Sequence, residues 1–320
     1  MPVLAELNPG CQTACIPRRT PSIPDRQIDG AHMALKSVLH KMSGRKFKKV
    51  RANTRWVDNP QFLSYFDTAI SPDHETGVHG AIRAATGDVA LGRGVSVGAG
   101  DGAKEIAMIS AGLVQNFDLF EVSEDRVAQS RQAAAEAGLS ENVTARLEDA
   151  FDHDFDAEYD LVYWEHALHH MFDVDHAVAW SVRALKPGGL LVVNDYIGPT
   201  RLQWRRSEVG MVRQFLRDNA DTLGVDPKRV KYGTPFRRYK QFLRDPSEAP
   251  QSDKIEAAYK RHTGTDLNIL GGAVIHLGGG FLNGAEEDDP TIHDRLIALD
   301  QKARDQGISH FAFGLWQKPG

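Results

Sequence analysis

Between about residues 90 and 200 the chain alternates short apolar runs with longer, more polar stretches. Val95–Val97 is one such run and is followed at once by glycines at 98, 100 and 102. Asp118–Val122, Asn142–Asp149 and Tyr159–Trp164 repeat the scheme, and Leu190–Asp195 closes it. Runs of this length bounded by turn residues read as strands. The last one is apolar without alternation, as in a strand covered on both faces. Helices are expected from near Gly102, from Ser123 as N-cap to Gly138 as terminating glycine, and from Val174 to Ala184. This alternation implies right-handed crossovers and a parallel sheet. A later helix is expected from Asp289 and Pro290 to Gly307, with Ile292, Leu296, Leu299 and Ala303 on one face. His310–Lys318 reads as a closing strand.

The flanks lack this rhythm. Residues 1–30 hold Pro2, Pro9, Pro17, Pro21 and Pro24 and read as a flexible arm. Residues 31–90 carry polar helical segments and the aromatic stretch "TRWVDNPQFLSYF", read as a lid over a core at 91–200. Basic, aromatic and glycine-rich segments fill 201–285, read as a substrate cap, and 286–320 return to the core.

Composition narrows the class. A chain of 320 residues, 41% hydrophobic and 25% charged, suits a globular core with an attached cap. Cys11 and Cys15 are the only cysteines and have no nearby histidine, so neither a disulfide framework nor a zinc site is expected, and a cytoplasmic setting fits. The first residues show no signal peptide or membrane-spanning run. A net charge of -5 argues against a nucleic-acid or membrane partner, with the basic stretch Arg45–Arg55 as a local exception.

The glycine turn raises the question of its ligand. Gly98, Gly100 and Ala103 fit the loose dinucleotide fingerprint, and Glu121 ends the next strand, where an acid can take ribose hydroxyls. A plain strand-to-helix connection can carry the same glycines. Asp101 inside the turn would oppose a pyrophosphate at a helix N-terminus, where favourable dipole interactions amount to roughly 0.3–1 kcal/mol. The same carboxylate suits a ligand bearing an ammonium and a sulfonium. No G-x-x-x-x-G-K-[ST] occurs, and no second mononucleotide half follows the fifth strand.

With these features together, the chain resembles the class I S-adenosylmethionine-dependent methyltransferases. "VSVGAGDG" looks like their glycine motif, "FEVSEDRVAQSRQAA" like the strand and helix carrying the ribose acid, and "LEDAF" like the turn bordering adenine. "YDLVYWEHALHHMFD" and "LKPGGLLVVNDYIG" are similar to the fourth- and fifth-strand motifs. The resemblance implies a Rossmann-like α/β fold, mostly parallel with an antiparallel last strand. It also implies S-adenosyl-L-methionine as cofactor. By position, Gly98, Ala99, Gly100 and Asp101 would meet its methionine part and Glu121 and Val122 its ribose. Asp149, Ala150 and Phe151 would border adenine, and Trp164 and Glu165 the methionyl end.

Displacement at a sulfonium needs an acceptor held in line, and a hydroxyl or protonated amine also needs a base. The ends of the fourth and fifth strands carry Glu165, His166, His169 and His170, then Asp195 and Tyr196. Glu165, His166 and His169 are the candidate catalytic groups; His170, Asp195 and Tyr196 are expected to face substrate. His166 and His170 have the spacing of a helical metal pair, but structural hydrogen bonding explains it as well, and no metal is expected. Arg201, Trp204, Arg205, Arg237 and Arg238 would give the cap stacking and anion-binding groups. "NDYIGPTRLQWRR" is similar to a branch associated with sugars, glycans and natural products. The [DNS]-P-P-[YF] signature of nucleic-acid N-methyltransferases is absent after the fourth strand. The expected reaction is therefore methyl transfer to an O or N atom of a polar small molecule, with a homodimer left open. An NAD-dependent oxidoreductase and a non-catalytic cofactor-binding scaffold are the rivals.

Overall fold

The computed structural model describes residues 55–71, 77–87, 89–282 and 284–320. The N-terminal arm, Cys11 and Cys15, and all of the basic stretch except Arg55 lie outside the described residues. Helices α1 (Pro60–Ile70) and α2 (Gly77–Thr86) come first. The expected alternation follows as β1 (Leu91–Val97), α3 (Ala103–Ser110), β2 (Val114–Glu121), α4 (Glu124–Glu136) and β3 (Val143–Leu147). It continues through β4 (Tyr159–Glu165), α5 (Val174–Ala184) and β5 (Leu185–Tyr196). Next come α6 (Arg206–Asp218), α7 (Ala220–Leu223), α8 (Pro235–Arg244) and α9 (Ile255–Thr263). The chain finishes with β6 (Asn268–Gly271), α10 (Ala273–Gly278), α11 (Ile292–Asp305) and β7 (Phe311–Gln317).

The strands form one seven-stranded sheet in the order β3-β2-β1-β4-β5-β7-β6. β7 runs antiparallel to both β5 and β6, and the other pairs are parallel, the mixed sheet that was expected. The edge strand β6 is absent from the sequence-based expectation, because four residues ending in glycine carry too little pattern. Strand order reverses at β1, which pairs β2 on one side and β4 on the other. An open parallel sheet has its ligand crevice there, outside the carboxyl ends of the strands.

The period of two sorts side chains onto two faces. Leu161 and Tyr163 of β4 enter a core with Phe62 of α1, Met108 of α3, Val127 of α4 and Leu296 of α11. Val162 and Trp164 enter the opposite core with Val178 of α5 and Tyr259 of α9. Each fully buried aliphatic or aromatic side chain contributes roughly 1.5–3 kcal/mol relative to exposure. Helix covers both faces, which is why Leu190–Val193 could be apolar throughout.

Two helix ends differ from expectation. Ser123 occupies the N-cap of α4 but makes no capping bond. Instead the Glu121 carboxylate accepts the Val122 and Ser123 N–H groups at 2.8 and 3.0 Å. α11 starts at Ile292 because Asp289 accepts the Thr291 N–H at 3.0 Å and holds the preceding turn outside the helix. Gly138 ends α4 at φ 71°, as its position predicts.

Candidate active site

The glycine turn between β1 and α3 holds Gly98, Gly100 and Gly102 at φ 68°, 62° and 72°, in the left-handed region that favours glycine. A Cβ on Gly102 would stand 2.8 Å from the Leu119 side chain. The turn therefore packs tightly on β2 and leaves bare backbone toward the crevice. A cavity of about 360 Å³ opens there, lined by the expected Gly98, Ala99, Gly100, Asp101, Glu165 and His166. Lys104, Glu105, Arg126 and Gln129 join them. A larger open groove of about 600 Å³, lined by Tyr65 and Ile297 among others, lies between α1 and α11, away from these groups.

Glu121 is in place and anchored. Besides the two N–H groups above, its carboxylate accepts the Gly100 N–H at 3.1 Å, and Arg126 stands 3.9 Å away. Glu105 was not foreseen. It springs from the first turn of α3 and is 2% exposed, with the Ser96 hydroxyl donating to Oε1 at 2.6 Å. Its Oε2 has no hydrogen-bond partner among the described residues. Burial, with Glu165 and Asp101 nearby, pushes this carboxyl up to about 7. Asp101, Glu105, Glu121 and Glu165 thus surround the turn with carboxylates. That donor set fits a ligand carrying ammonium and sulfonium charge beside a ribose, and disfavours a pyrophosphate.

The adenine-side candidates are partly assembled. Asp149 accepts the Phe151 N–H at 3.0 Å and caps the short turn Ala150–Asp152. Ala150 is buried and Val122 is half exposed. Phe151 meets Trp164 and Trp180 at ring separations of 6.5 and 5.5 Å, on the α5 side of the sheet. The structure does not bring Trp164 to the cavity: its indole is fully buried and donates to the Ser181 hydroxyl at 2.9 Å. Strand alternation is the reason, since Trp164 and Glu165 point to opposite faces.

At the ends of β4 and β5 the expected residues separate into two groups. Glu165 accepts from Tyr163 Oη at 2.7 Å and from Asn194 Nδ2 at 3.1 Å, with His166 Nε2 at 3.8 Å. Glu165 and His166 belong to the glycine-turn cavity. His169 is instead paired with Asp195, Nδ1 to Oδ1 at 2.5 Å, and both are buried. The Asp195 carboxylate also accepts the N–H groups of Ala167, Leu168 and Tyr196 at 3.0, 2.6 and 2.6 Å. Burial opposes charge on the His169 imidazole, but Asp195 overrides it and raises the ring above its ordinary range. Asp195 is held below the usual carboxylate range despite its burial, because His169 faces it. The second nitrogen, Nε2, points at Glu248 Oε1, 3.8 Å away.

His170 turns toward a loop, its Nδ1 3.1 Å from the Ser247 carbonyl oxygen. Burial and the neighbouring His169 lower its ring below the ordinary range. His166 and His170 do not form the helical metal pair; His170 instead comes within 4.8 Å of ligand atoms on Asp245 and Glu248. Asp245 there accepts the Ser247 N–H and hydroxyl at 2.9 and 2.7 Å, which closes the loop. Tyr196 is buried, donates to the Pro199 carbonyl at 3.1 Å and packs against His169 at a ring separation of 6.0 Å.

Of the arginines expected to bind an anion in 201–285, Arg201 is engaged elsewhere. The Arg201 guanidinium binds the Pro246 and Glu248 carbonyls, so it clasps a loop. Trp204 meets His276 edge-on at 5.7 Å. Arg205 is exposed, and its backbone N–H is taken by Glu208 at 2.7 Å. Arg238 is exposed and Arg237 half-buried on α8. His276 and His310, Nδ1 to Nδ1 at 3.2 Å, join Tyr196 in an aromatic cluster that sequence reasoning missed. Burial and His310 together keep His276 well below its ordinary range.

Residues 95–193 match the family described as a methyltransferase domain. With the sheet order and the glycine turn, this defines the segment as a class I S-adenosylmethionine-dependent methyltransferase domain. Among characterised proteins, the chain is similar to 27-O-demethylrifamycin SV methyltransferase of Amycolatopsis mediterranei (strain S699). The two are 25% identical over 172 residues, which are 53% of this chain and 59% of that protein. The match therefore spans little more than half of the relative's length. A solved structure assigned as a sarcosine dimethylglycine methyltransferase from Galdieria sulphuraria is 14% identical, with a TM-score of 0.46 over 80% of this chain and 86% of its own. Phosphoethanolamine N-methyltransferase 2 of Haemonchus contortus, in complex with S-adenosyl-L-methionine, is also 14% identical, with a TM-score of 0.45 over 84% and 59%. Neither structure bears on substrate. No described helix is long and apolar enough to cross a membrane.

Proposed function

We propose that the chain transfers a methyl group from S-adenosyl-L-methionine to a hydroxyl of a polar small molecule, with His169 as general base. The observation that carries this reading is the buried Asp195–His169 pair at the ends of β4 and β5, where Glu165 and His166 line the glycine-turn cavity. The cofactor, when bound, supplies a methyl carbon made electrophilic by its sulfonium. Glu121 would hold the ribose hydroxyls, and the backbone of Gly98–Asp101 the methionine part. Asp195 fixes the imidazole through Nδ1, so Nε2 is the nitrogen left to take the acceptor's proton. Glu248 then faces the imidazolium that forms. Glu165 is already engaged, accepting from Tyr163 and Asn194.

The relative's name specifies an oxygen acceptor, which favours O- over N-transfer here. Incubation with methyl-labelled cofactor and a panel of sugar, polyketide and amine acceptors tests the reading. Label is expected in a hydroxyl-bearing acceptor, and His169→Ala should abolish most of the transfer. Tight NAD binding without S-adenosylmethionine binding would sink it in favour of the oxidoreductase.

A further inference from the structure

Helix α8 is built inside out. Phe236, Tyr239, Phe242 and Leu243 are 75, 60, 48 and 52% exposed, and no residue of the helix is buried. At a helical repeat these four share an arc of roughly 120°. The two least exposed residues are Arg237 and Gln241, which one turn of helix places on the same side. A helix resting on a soluble core does the reverse, with apolar residues inward. The inversion is not a matter of a loosely hung helix. Thr234 caps its start by accepting the Arg237 N–H at 3.2 Å. Phe242 is held 5.6 Å from the Arg201 guanidinium, which itself binds the Pro246 carbonyl just past the helix end.

Charge says what the apolar arc faces. Arg238 and Lys240 are exposed and flank the arc on its two sides, with Arg244 beyond Lys240, and the helix contains no acid. The surrounding residues 201–244 hold twelve Lys and Arg against four Asp and Glu, in a chain whose net charge is -5. The chain-wide charge that argued against an anionic surface therefore hides a basic segment. A second copy of the helix would bring like charges together along both flanks. An anionic bilayer accepts aromatic and leucine side chains at headgroup depth, while Lys and Arg reach lipid phosphates from either side.

We propose that α8 seats the protein on an anionic membrane surface, with Phe236, Tyr239, Phe242 and Leu243 inserted and Arg238, Lys240 and Arg244 on the headgroups. The inference stands apart from methyl transfer, since none of these side chains belongs to the glycine-turn cavity or the Asp195–His169 pair.

Sedimentation of the full chain with vesicles tests it, using phosphatidylcholine alone and phosphatidylcholine with one-third phosphatidylglycerol. The protein should pellet with the anionic vesicles only, and less as salt rises. Phe236→Ser/Leu243→Ser and Arg238→Glu/Lys240→Glu should each weaken vesicle binding by about tenfold or more. All four side chains face solvent, so both variants should keep the wild-type melting temperature and cofactor affinity. Equal binding by wild type and variants, or no binding to anionic vesicles, overturns the proposal. A dimer in solution that the Phe236/Leu243 variant dissociates overturns it too, by giving the face to a second copy.

Discussion

On the glycine-turn side of the crevice, Glu121 is held by three backbone N–H groups, from Gly100, Val122 and Ser123. On the β4–β5 side, Asp195 also takes three backbone N–H groups, but adds a side chain that can carry a proton, His169. The first arrangement fixes a negative charge where a cationic, ribose-bearing ligand would lie. The second fixes an orientation and leaves one imidazole nitrogen to exchange a proton. On the proposed reading, one neighbour gives two carboxylates at equivalent ends of parallel strands different work. Removing groups from one side should change binding, and from the other turnover.

The largest expected effect is on the proton-carrying side. His169→Ala should lower single-turnover methyl transfer about 10²–10⁴-fold while leaving cofactor affinity within about twofold. If calorimetry instead shows cofactor binding lost and turnover at saturation kept, His169 is a structural group of the first side.

Glu105 sharpens the comparison from the other direction, because it is a buried glycine-side carboxyl whose Oε2 has no hydrogen-bond partner among the described residues. Its ordinary pKa of 4.5 is raised to about 7 by burial. The folded protein therefore holds this proton after the unfolded chain has lost it. The stability it contributes is fully present below pH 4.5 and is lost as pH rises through about 7. At about 1.36 kcal/mol per unit, that loss is on the order of 3 kcal/mol. Glu105→Gln cannot ionise, so it should melt higher than wild type at pH 8, with the gap closing at pH 5. Parallel melting curves across that range would show that Glu105 ionises without cost.

Glu121→Ala should weaken S-adenosylmethionine or its demethylated product by roughly 1.5–3 kcal/mol, about ten- to hundredfold in Kd. The fold should survive, since Gly100, Val122 and Ser123, which carry the three N–H groups it leaves, are half-buried or exposed and within reach of water. An affinity within twofold of wild type would remove Glu121 from the ribose site.

The glycine turn, the acid ending β2 and the sheet direction were legible because each depends on neighbours in sequence: a strand, a turn and the next strand. The antiparallel last strand came from the family resemblance. The Asp195–His169 pairing joins residues 26 apart and exists only because β5 lies beside β4. His169 had been singled out as a catalytic candidate with Glu165 and His166, and Asp195 only as a residue facing substrate. The strand's own period could have separated Trp164 from Glu165. Nothing local marks Glu248, His276 or His310, whose surroundings come from distant elements, whereas Glu105 is held by Ser96 only nine residues upstream. Arg201 was misjudged as an anion ligand because backbone carbonyls of a loop 45 residues on are invisible in sequence.

The smallest expected effect concerns Glu248, which touches the proton-carrying side without belonging to its strands. As a base, His169 must be neutral, so turnover should rise with pH through its folded pKa, above the ordinary 6.5 because Asp195 outweighs burial. Glu248 and Asp245 push the same way as Asp195, while burial and His169 hold the adjoining His170 below its ordinary range. Glu248 reaches only 3.8 Å from Nε2 and is partly solvated, so its share is modest. Glu248→Gln should move the acid limb of the turnover profile to lower pH by up to about one unit. Cofactor affinity and the height of the plateau should hardly change. A limb that stays in place would show that Asp195 alone sets the base. A limb moving to higher pH cannot come from losing a negative charge beside His169, and the division between the two halves of the crevice would fail.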